Sequence, residues 1–220
     1  MKSNIILSNR LEVASSLVDT SPCIDVGSDH GLLALFLENK GYKVYASENK
    51  IGPYNRLVNN LKENFSSITP LFIDGILKMP DDIKCIIILG MGGDTIYKIL
   101  SEGRNRLNQI ESIIIEPQSN FKMPISFLYE NGFENIDSKL IYEKHYYPIL
   151  KYVKGQDKID DKFKYIALNY GFDLVRKRDS QLRVYLEIEL EKLNNIEKLY
   201  ELDSEKKNKK NEILNFLNSW

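Results

Sequence analysis

Cysteine and histidine are scarce in this chain, with two residues of each among 220. Cys23 and Cys85 both stand within apolar segments, so we expect two buried thiols in a reducing compartment and no disulfide framework. His30 and His145 are far apart, and no CxxC, HxxxH or HExxH spacing occurs. We therefore predict that the chain holds no metal ion.

Long hydrophobic runs and an excess of charge of one sign are also missing. No apolar run approaches the roughly 20 residues that span a bilayer, and the opening residues lack the hydrophobic region of a secretory signal. Thirty basic residues face thirty-one acidic ones, which gives a formal net charge of -1. This charge balance excludes a histone-like DNA binder, so we expect no DNA partner. From the missing apolar runs we expect a cytoplasmic protein with no membrane partner.

What the chain does contain is a regular alternation of short apolar runs and amphipathic segments. The apolar runs predict five strands at residues 23–26, 44–47, 71–73, 86–89 and 113–115. The segments of helical period lie at residues 8–17, 32–38, 54–65, 96–107 and 124–131. Because parallel strands need crossovers of about a dozen residues, this order predicts an α/β protein with a doubly wound parallel sheet.

The end of the sheet and the remainder of the chain follow different patterns. Two extended segments, residues 135–142 and 147–153, have no helix between them, which predicts an antiparallel final strand. After Asp157, apolar residues recur at three- and four-residue steps, which predicts a C-terminal helical hairpin packed as a coiled coil. We therefore divide the chain into a sheet domain, residues 1–156, and a helical hairpin domain, residues 157–220.

A glycine-containing loop follows the first predicted strand, in the order Asp25-Val26-Gly27-Ser28-Asp29-His30-Gly31. Glu48 ends the second strand, about 20 residues further on, where an acid accepts hydrogen bonds from ribose hydroxyls in nucleotide-binding folds. Asp25 and Asp29 make this loop acidic, so it repels phosphate and favours a cation. We therefore predict S-adenosyl-L-methionine, a nucleoside with sulfonium and ammonium charges and no phosphate, as the cofactor.

Two further motifs follow the third and fourth predicted strands. Asp74-Gly75 places an acid on the same rim, where it could accept a hydrogen bond from an adenine amine. Gly90-Met91-Gly92-Gly93 leaves backbone amides and carbonyls free to grip a flat base, with Met91 as a soft surface. Structural explanations remain open: Asp29 could cap a helix, Glu48 could be a solvated strand end, and the glycine motifs could be tight turns.

In these motifs the chain resembles the bacterial tRNA (adenine(22)-N(1))-methyltransferases over nearly its whole length. The segment from Leu7 to Leu11 is similar to the family's start, and the loop from Asp25 to His30 is very close to its cofactor loop. Gly90-Met91-Gly92-Gly93 is the most specific match. Glu116-Pro117-Gln118 stands where the family has a Gln-Pro-Asn-like segment, and a helical hairpin tail is a further shared trait. The resemblance implies a Rossmann-like methyltransferase sheet and methylation of adenine 22 of tRNA at N1.

Under this resemblance the candidate residues fall into three groups. The expected cofactor-binding residues are Asp25, Gly27, Ser28, Asp29, His30, Glu48, Asn49, Asp74, Gly75 and Gly90. The expected catalytic residues are Asp29, Gly90, Met91 and Gly92, with Asp29 as the carboxylate nearest the developing positive charge. The expected tRNA-binding residues are Arg10, Arg176, Lys177, Arg178 and Arg183. A solvated coiled-coil face would explain the last group about as well.

Two other functions remain open from the sequence. A small-molecule methyltransferase would share the cofactor loop, although that class tends to cover its pocket with a hydrophobic lid in place of a polar hairpin. A catalytically silent RNA-binding or assembly module would use the hairpin to bind a partner. We expect a monomer with tRNA as its macromolecular partner, and binding of S-adenosyl-L-methionine would separate the two enzymes from the silent module.

Overall fold

Within residues 5–220, which are those that the computed structural model describes, seven strands form one mixed sheet. The strands are β1 (Cys23–Val26), β2 (Val44–Glu48), β3 (Thr69–Phe72), β4 (Cys85–Met91), β5 (Ser112–Pro117), β6 (Phe133–Glu143) and β7 (His145–Lys154). Their order across the sheet is β3-β2-β1-β4-β5-β7-β6. The strands β1 to β5 run parallel, whereas β7 lies antiparallel between β5 and β6. The predicted doubly wound sheet with an antiparallel end is confirmed.

Helices cover both faces of the sheet. The helices are α1 (Asn9–Ser16), α2 (Leu32–Asn39), α3 (Ile51–Glu63), α4 (Gly93–Glu102), α5 (Lys122–Glu130), α6 (Lys164–Tyr170), α7 (Phe172–Arg176), α8 (Ser180–Leu199) and α9 (Ser204–Asn218), with 3₁₀ turns at Arg104–Gln109 and Asp161–Phe163. None of these helices has both the length and the apolar character needed to cross a membrane.

Side chains on the two faces of the central strands pack into two separate hydrophobic cores, because successive side chains of a strand point to opposite faces. On one face, Ile86 and Ile88 of β4 pack with apolar residues of α4 to α9. On the other face, Cys85 and Ile87 of the same strand pack with residues of α1, α2 and α3. Burial on both faces explains why these strands read as continuous apolar runs in the sequence.

Several helix boundaries differ from the predicted ones for local reasons. The helix α3 begins at Ile51, three residues before the predicted start, because Pro53 is tolerated in the first turn, where its missing N–H has no helical partner. The helix α4 ends at Glu102, where the sequence predicted continuation to residue 107. A Cβ atom at Gly103 would lie 2.2 Å from Cγ1 of Ile76, so the chain passes closely there before the 3₁₀ turn begins.

The helices α6 and α7 precede the hairpin and were not predicted. Phe172, Leu174 and Val175 of α7 are buried in the same core as Phe133 and Tyr152 of the final strands. The hairpin itself consists of α8 and α9, and the side chains of Asp179 and Asp203 cap their first turns. Coiled-coil packing of this hairpin stays a prediction.

Candidate active site

The carboxyl ends of β1 and β4 lie side by side at the centre of the sheet. The strand β1 pairs with β2 on one side and with β4 on the other, so the connections that follow β1 and β4 leave toward opposite faces. Open α/β sheets bind ligands in the crevice that forms at such a point. Residues 27–31 follow β1, and residues 90–93 end β4 and begin α4. The two predicted glycine motifs therefore meet at one edge.

Gly27 occupies the centre of this edge. Its φ is +72°, a left-handed conformation that L side chains rarely adopt. A Cβ atom at this position would lie 2.2 Å from Cε of Met91. The backbone N–H of Gly27 donates to the carbonyl oxygen of Ser47 at 2.9 Å, which ties the loop to β2. Both the conformation and the space at this position therefore require glycine.

Two carboxylates border a cavity on one side of Gly27. Glu48 is buried, and its Oε1 accepts the backbone N–H of Asp29 at 2.6 Å. Nδ2 of Asn49 donates to Oδ1 of Asp74 at 2.8 Å. The cavity, of about 260 Å³, is lined by residues that include Gly27, Glu48, Asn49, Asp74, Gly75, Met91 and Ile99. Carboxylate acceptors beside apolar side chains suit a nucleoside, whose hydroxyls donate and whose base packs. We call this the nucleoside cavity.

A second cavity, of about 320 Å³, lies on the other side of the β1 loop. We call it the rim cavity, and its lining includes Arg10, Asp25, Gly27, Ser28, Asp29, His30, Leu33, Gly90, Glu116 and Gln118. Gly27 lines both cavities. A ligand that passes over Gly27 would therefore have one end in each cavity.

Asp25 is a buried carboxylate at the floor of the rim cavity. Oγ of Ser28 donates to Oδ2 of Asp25 at 2.5 Å. Burial raises the pKa of Asp25 to about 6, the hydrogen bond from Ser28 lowers it in part, and the charge of Glu48 raises it. The carboxylate is therefore half protonated near pH 6 and negative at neutral pH, where it would attract a cationic ligand.

Asp29 and His30 are more exposed than Asp25. Oδ1 of Asp29 accepts a hydrogen bond from the Arg56 guanidinium at 3.0 Å, and Nε2 of His30 lies 3.7 Å from Oδ2 of Asp29. The backbone of Asp29 is left-handed, with φ of +49°. The backbone conformation of Asp29 thus sets the shape of the loop. Its carboxylate lies at the mouth of the rim cavity and forms an ion pair with Arg56.

Glu116 at the end of β5 connects three parts of the chain. It is buried and accepts hydrogen bonds from Nη1 of Arg10, at 3.0 and 3.1 Å, and from the backbone N–H of Gly90, at 2.8 Å. Burial raises the pKa of Glu116, and the Arg10 charge opposes that shift. The Arg10 guanidinium also lies 4.8 Å from the Tyr147 ring centroid, a cation–π contact. Glu116 therefore holds both α1 and the Gly90 turn.

Two of the predicted tRNA-binding residues make internal contacts between the helices and the sheet. The Arg176 guanidinium donates to the carboxylate of Asp157 and to the carbonyl oxygen of Asn135. Nζ of Lys177 donates to the carbonyl oxygen of Ser138 at 2.5 Å. Both cations thus satisfy groups on or beside β6, and a role in tRNA binding stays a prediction for them.

The other two cations of this region lie at the base of the hairpin. The Arg178 guanidinium lies 4.9 Å from the ring centroids of both Phe163 and Phe216. Nε of Arg183 donates to Oε1 of Glu187 at 2.9 Å, one turn further along α8. Arg10, the remaining candidate, is separated from this group and lines the rim cavity. The structure therefore brings Arg178 and Arg183 together at the Trp220 ring, at 5.7 and 5.5 Å, while Arg10 contacts Glu116 and Tyr147.

Nearly all predicted cofactor and catalytic residues line one of the two cavities. The exception is Gly92, which caps α4 and has Oγ of Ser119 at 3.1 Å from the position of a Cβ atom. Sequence reasoning did not assign Glu116 or Ile99 to the site. An acid at the end of the buried run Ile113 to Ile115 was a usable signal for Glu116. Ile99 lies on an ordinary helix face and carried no signal. The assignment of individual residues to cofactor or catalysis stays a prediction.

The sheet order, the antiparallel β7 and the nucleoside cavity at the centre of the edge define a Rossmann-like methyltransferase fold. Within that class, residues 23–219 match the family model of the tRNA (adenine(22)-N(1))-methyltransferases, TrmK. The chain belongs to this family.

Individual relatives agree with this assignment. MG248 of Mycoplasma genitalium is 30% identical over 132 residues, which are 57% of this chain and 59% of the relative. The tRNA (adenine(22)-N(1))-methyltransferase of Bacillus subtilis is 29% identical over 143 residues, 62% of this chain and 60% of the relative. The chain thus spans about three fifths of the length of these two curated relatives.

A solved structure extends the comparison over nearly the whole chain. Sp1610 of Streptococcus pneumoniae, in complex with S-adenosyl-L-methionine, superposes with a TM-score of 0.84 at 27% sequence identity. The superposition covers 96% of this chain and all of Sp1610. The helices after β7 are therefore part of the shared architecture.

Proposed function

We propose that this protein methylates N1 of adenine 22 in tRNA with S-adenosyl-L-methionine as methyl donor. The observation that carries the proposal is the pair of cavities that meet at Gly27, between the acidic β1 loop and the Gly90 turn. One cavity suits a nucleoside, and the other lies where a second reactant would meet it. Family membership and the cofactor in the solved relative support the same reaction.

The residues of the edge fit this cofactor. Glu48 and Asp74 offer acceptors for hydroxyl and amine groups, and Ile99 and Met91 offer apolar surface for a purine. Asp25, negative above pH 6, lies where it would face an ammonium or sulfonium charge. Nε of Arg10 is buried and has no acceptor within residues 5–220, which suits an anionic oxygen such as a carboxylate. The remaining predicted contacts are Gly27, Ser28, Asp29, His30, Asn49, Gly75 and Gly90.

The cofactor, when bound, supplies an electrophilic methyl group on a positively charged sulfur. The protein's own contribution is mainly orientation, since the ring nitrogen of adenine already carries a lone pair. The Gly90 turn presents backbone groups to the edge of the base, with Met91 beside it and Gly92 at the start of α4. The buried Glu116 holds that turn through the Gly90 N–H. Leu33 adds an apolar side chain to the wall of the rim cavity.

Methylation places positive charge on the adenine, and a nearby carboxylate stabilises that charge. In this proposal Asp29 at the mouth of the rim cavity is that carboxylate. The Asp29 side chain is 57% exposed and forms an ion pair with Arg56, so solvent and the Arg56 charge weaken its effect on the charge of the adenine. Asp29 therefore assists the reaction, and positioning by the Gly90 turn accounts for most of the rate.

The target base of a folded tRNA lies in stacked structure, so it must turn outward into the rim cavity at a cost of a few kcal/mol. We propose that residues 1–156 bind the cofactor and that residues 157–220 hold the tRNA to offset this cost. Because the net charge is only -1, tRNA must be recognised by local groups, and we expect no DNA binding, a monomer and a cytoplasmic location.

A methyl-transfer assay tests the proposal directly. Purified protein is incubated with radiolabelled S-adenosyl-L-methionine and two tRNA transcripts that differ only in adenosine or guanosine at position 22. We expect label in the adenosine transcript alone, recovered as 1-methyladenosine. Equal labelling of both transcripts would refute the target position. Cofactor binding without labelling of either transcript would instead favour a small-molecule substrate, and absence of cofactor binding would favour a silent RNA-binding module.

A further inference from the structure

A row of tyrosines runs from the tip of the final hairpin of strands to the helical hairpin. The ring centroids of Tyr142 and Tyr146, which face each other across β6 and β7, are 5.0 Å apart. Tyr146 lies 4.8 Å from Tyr185 of α8, and Tyr185 lies 5.6 Å from Tyr170 of α6. We call these four residues the tyrosine row. Tyr170 is buried, whereas Tyr142 at the other end is 61% exposed.

The inner end of the tyrosine row, Tyr170 and Tyr185, borders a groove of about 300 Å³ that adjoins the candidate active site, and the row continues from there through Tyr146 to the exposed Tyr142. Tyr170 and Tyr185 form part of its wall, and Gln118 forms another part. Gln118 also lines the rim cavity. The strand β5 ends at Pro117, so the groove begins where the chain leaves the catalytic edge of the sheet. A strand of RNA with one base in the rim cavity would therefore reach this groove with its neighbouring nucleotides.

Positive side chains accompany the aromatic surface. Lys122 lines the groove, is exposed and makes no ion pair with any residue in the range 5–220. Lys144, at the turn between β6 and β7, is also exposed and similarly unpaired within that range. Lys209 lies in the groove as well, but its Nζ is paired with Glu189 at 2.7 Å. The groove thus combines a π surface with uncompensated positive charge, the combination that binds unpaired nucleotides.

We propose that the tyrosine row is a stacking platform for a nucleobase adjacent to the methylated adenosine, and that Lys122 contacts the phosphate of that nucleotide. This inference rests on the proposed function, because a base that turns outward leaves its neighbours without a stacking partner. Tyrosine rings replace that partner with little loss of side-chain entropy. The platform accepts any base, since every base has a π face.

Tyr142 is the residue to substitute, because its side chain is exposed and can be changed with little effect on folding. Tyr142→Ala should raise the Kd for a tRNA transcript about tenfold, and Tyr142→Phe, which keeps the ring, should bind within about twofold of the unaltered protein. Tyr200→Ala is the matched control, because Tyr200 is 72% exposed and does not belong to the tyrosine row. The Kd for S-adenosyl-L-methionine should stay unchanged in all three variants.

Salt dependence separates stacking from charge. Lys122→Ala should lower the slope of log Kd against log salt by about 0.7 to 0.9, the value of one phosphate contact. Tyr142→Ala should weaken binding without changing that slope. Lys62→Ala, a change at an exposed lysine of α3 outside the groove, should leave both affinity and slope unchanged.

The outcomes distinguish this inference from the proposed function. If Tyr142→Ala binds tRNA as tightly as the unaltered protein, the platform is refuted, whether or not adenosine 22 is methylated. If Tyr142→Phe loses as much affinity as Tyr142→Ala, hydrogen bonding by the hydroxyl replaces stacking as the explanation. If no methyl group reaches any transcript, the proposed function fails, while the binding measurements still decide the role of the tyrosine row.

Discussion

Asp25 and Glu116 are two carboxylates at one edge of the sheet with opposite surroundings. Glu116 accepts hydrogen bonds from a guanidinium and a backbone amide, so its charge is compensated inside the protein. Within residues 5–220 the Asp25 carboxylate has the Ser28 hydroxyl as its one hydrogen-bond partner, and Glu48 nearby is of the same sign. A buried charge without a counter-charge lowers the free energy of unfolding, and a bound cationic ligand supplies the missing counter-charge. Under the proposed function, the Asp25 carboxylate lowers the stability of the protein without ligand and is stabilised when a positive ligand binds.

Replacement of Asp25 tests this cost. The folded pKa of about 6 lies above the unfolded value, so folding takes up protons and the stability contributed by protonated Asp25 is lost as pH rises from about 4 to 6. Asp25→Asn should therefore raise the free energy of unfolding at pH 7.5 by about 1 to 3 kcal/mol, and by much less at pH 4.5. Urea denaturation at both pH values measures the difference.

The control is Asp29→Asn, which changes an exposed residue of the same loop and should give no such gain at either pH. Affinity for S-adenosyl-L-methionine should change in the opposite direction, because Asp25→Asn removes the negative charge that we propose to face the ligand. The affinity of the unaltered protein should fall between pH 7.5 and pH 5 for the same reason. A pH-independent affinity would contradict the assigned role of Asp25.

Glu116 and Arg10 should behave as a coupled pair. Glu116→Ala leaves a half-buried guanidinium and the Gly90 N–H without their acceptor, so it should cost about 2 to 4 kcal/mol of stability. Glu116→Gln keeps an acceptor oxygen and should cost about half as much. The double variant Arg10→Met with Glu116→Gln should cost less than the sum of the single changes. Additive costs in urea denaturation would show that the two side chains do not interact.

At the scale of elements, the helices α6 and α7 join the sheet to the hairpin through a shared core. Phe172 and Leu174 are fully buried, and the Arg176 contacts with Asp157 and Asn135 fasten α7 to β6. These elements escaped prediction because helices of seven and five residues contain too few turns to display a period. The long strands and the hairpin were predictable because their apolar patterns repeat several times.

Two truncations measure the contribution of α6 and α7. A chain that ends at Arg178 keeps both helices, whereas a chain that ends at Gly155 exposes the β6 and β7 surface that they cover. Burial of each large apolar side chain contributes about 1.5 to 3 kcal/mol. The shorter chain should therefore melt at least about 10 °C below the longer one in a thermal scan. Equal melting temperatures would show that the sheet is stable without α6 and α7.

The candidate site was predictable only in part, for a similar reason. Motifs within a few residues of one another, such as Gly27 with Asp29, reveal themselves by spacing. The contact between Arg10 and Glu116 joins residues 106 positions apart, and no local sequence pattern predicts it. The tyrosine row likewise draws on β6, β7, α6 and α8. Such groupings exist only after the sheet has set the distances between distant segments.

At the scale of the whole molecule, positive and negative charges nearly cancel. Nearly equal numbers of basic and acidic residues leave no global field to draw in a polyanion. The Arg176 and Lys177 side chains are engaged with the sheet, and Arg178 and Arg183 with aromatic rings and an acid. If tRNA is the substrate, as we propose, its association should therefore depend more on shape and stacking than on long-range attraction, and the association rate should respond weakly to salt.

The position of β7 between β5 and β6 has a consequence for synthesis of the chain on the ribosome. The strand β5 emerges first, yet its free edge can pair only with β7, which emerges after β6. Until then that edge carries open amide and carbonyl groups, which is the surface on which nascent chains aggregate. The pairs between β6 and β7 join residues close in sequence, so we expect this hairpin to form first and then to cover the β5 edge as a unit.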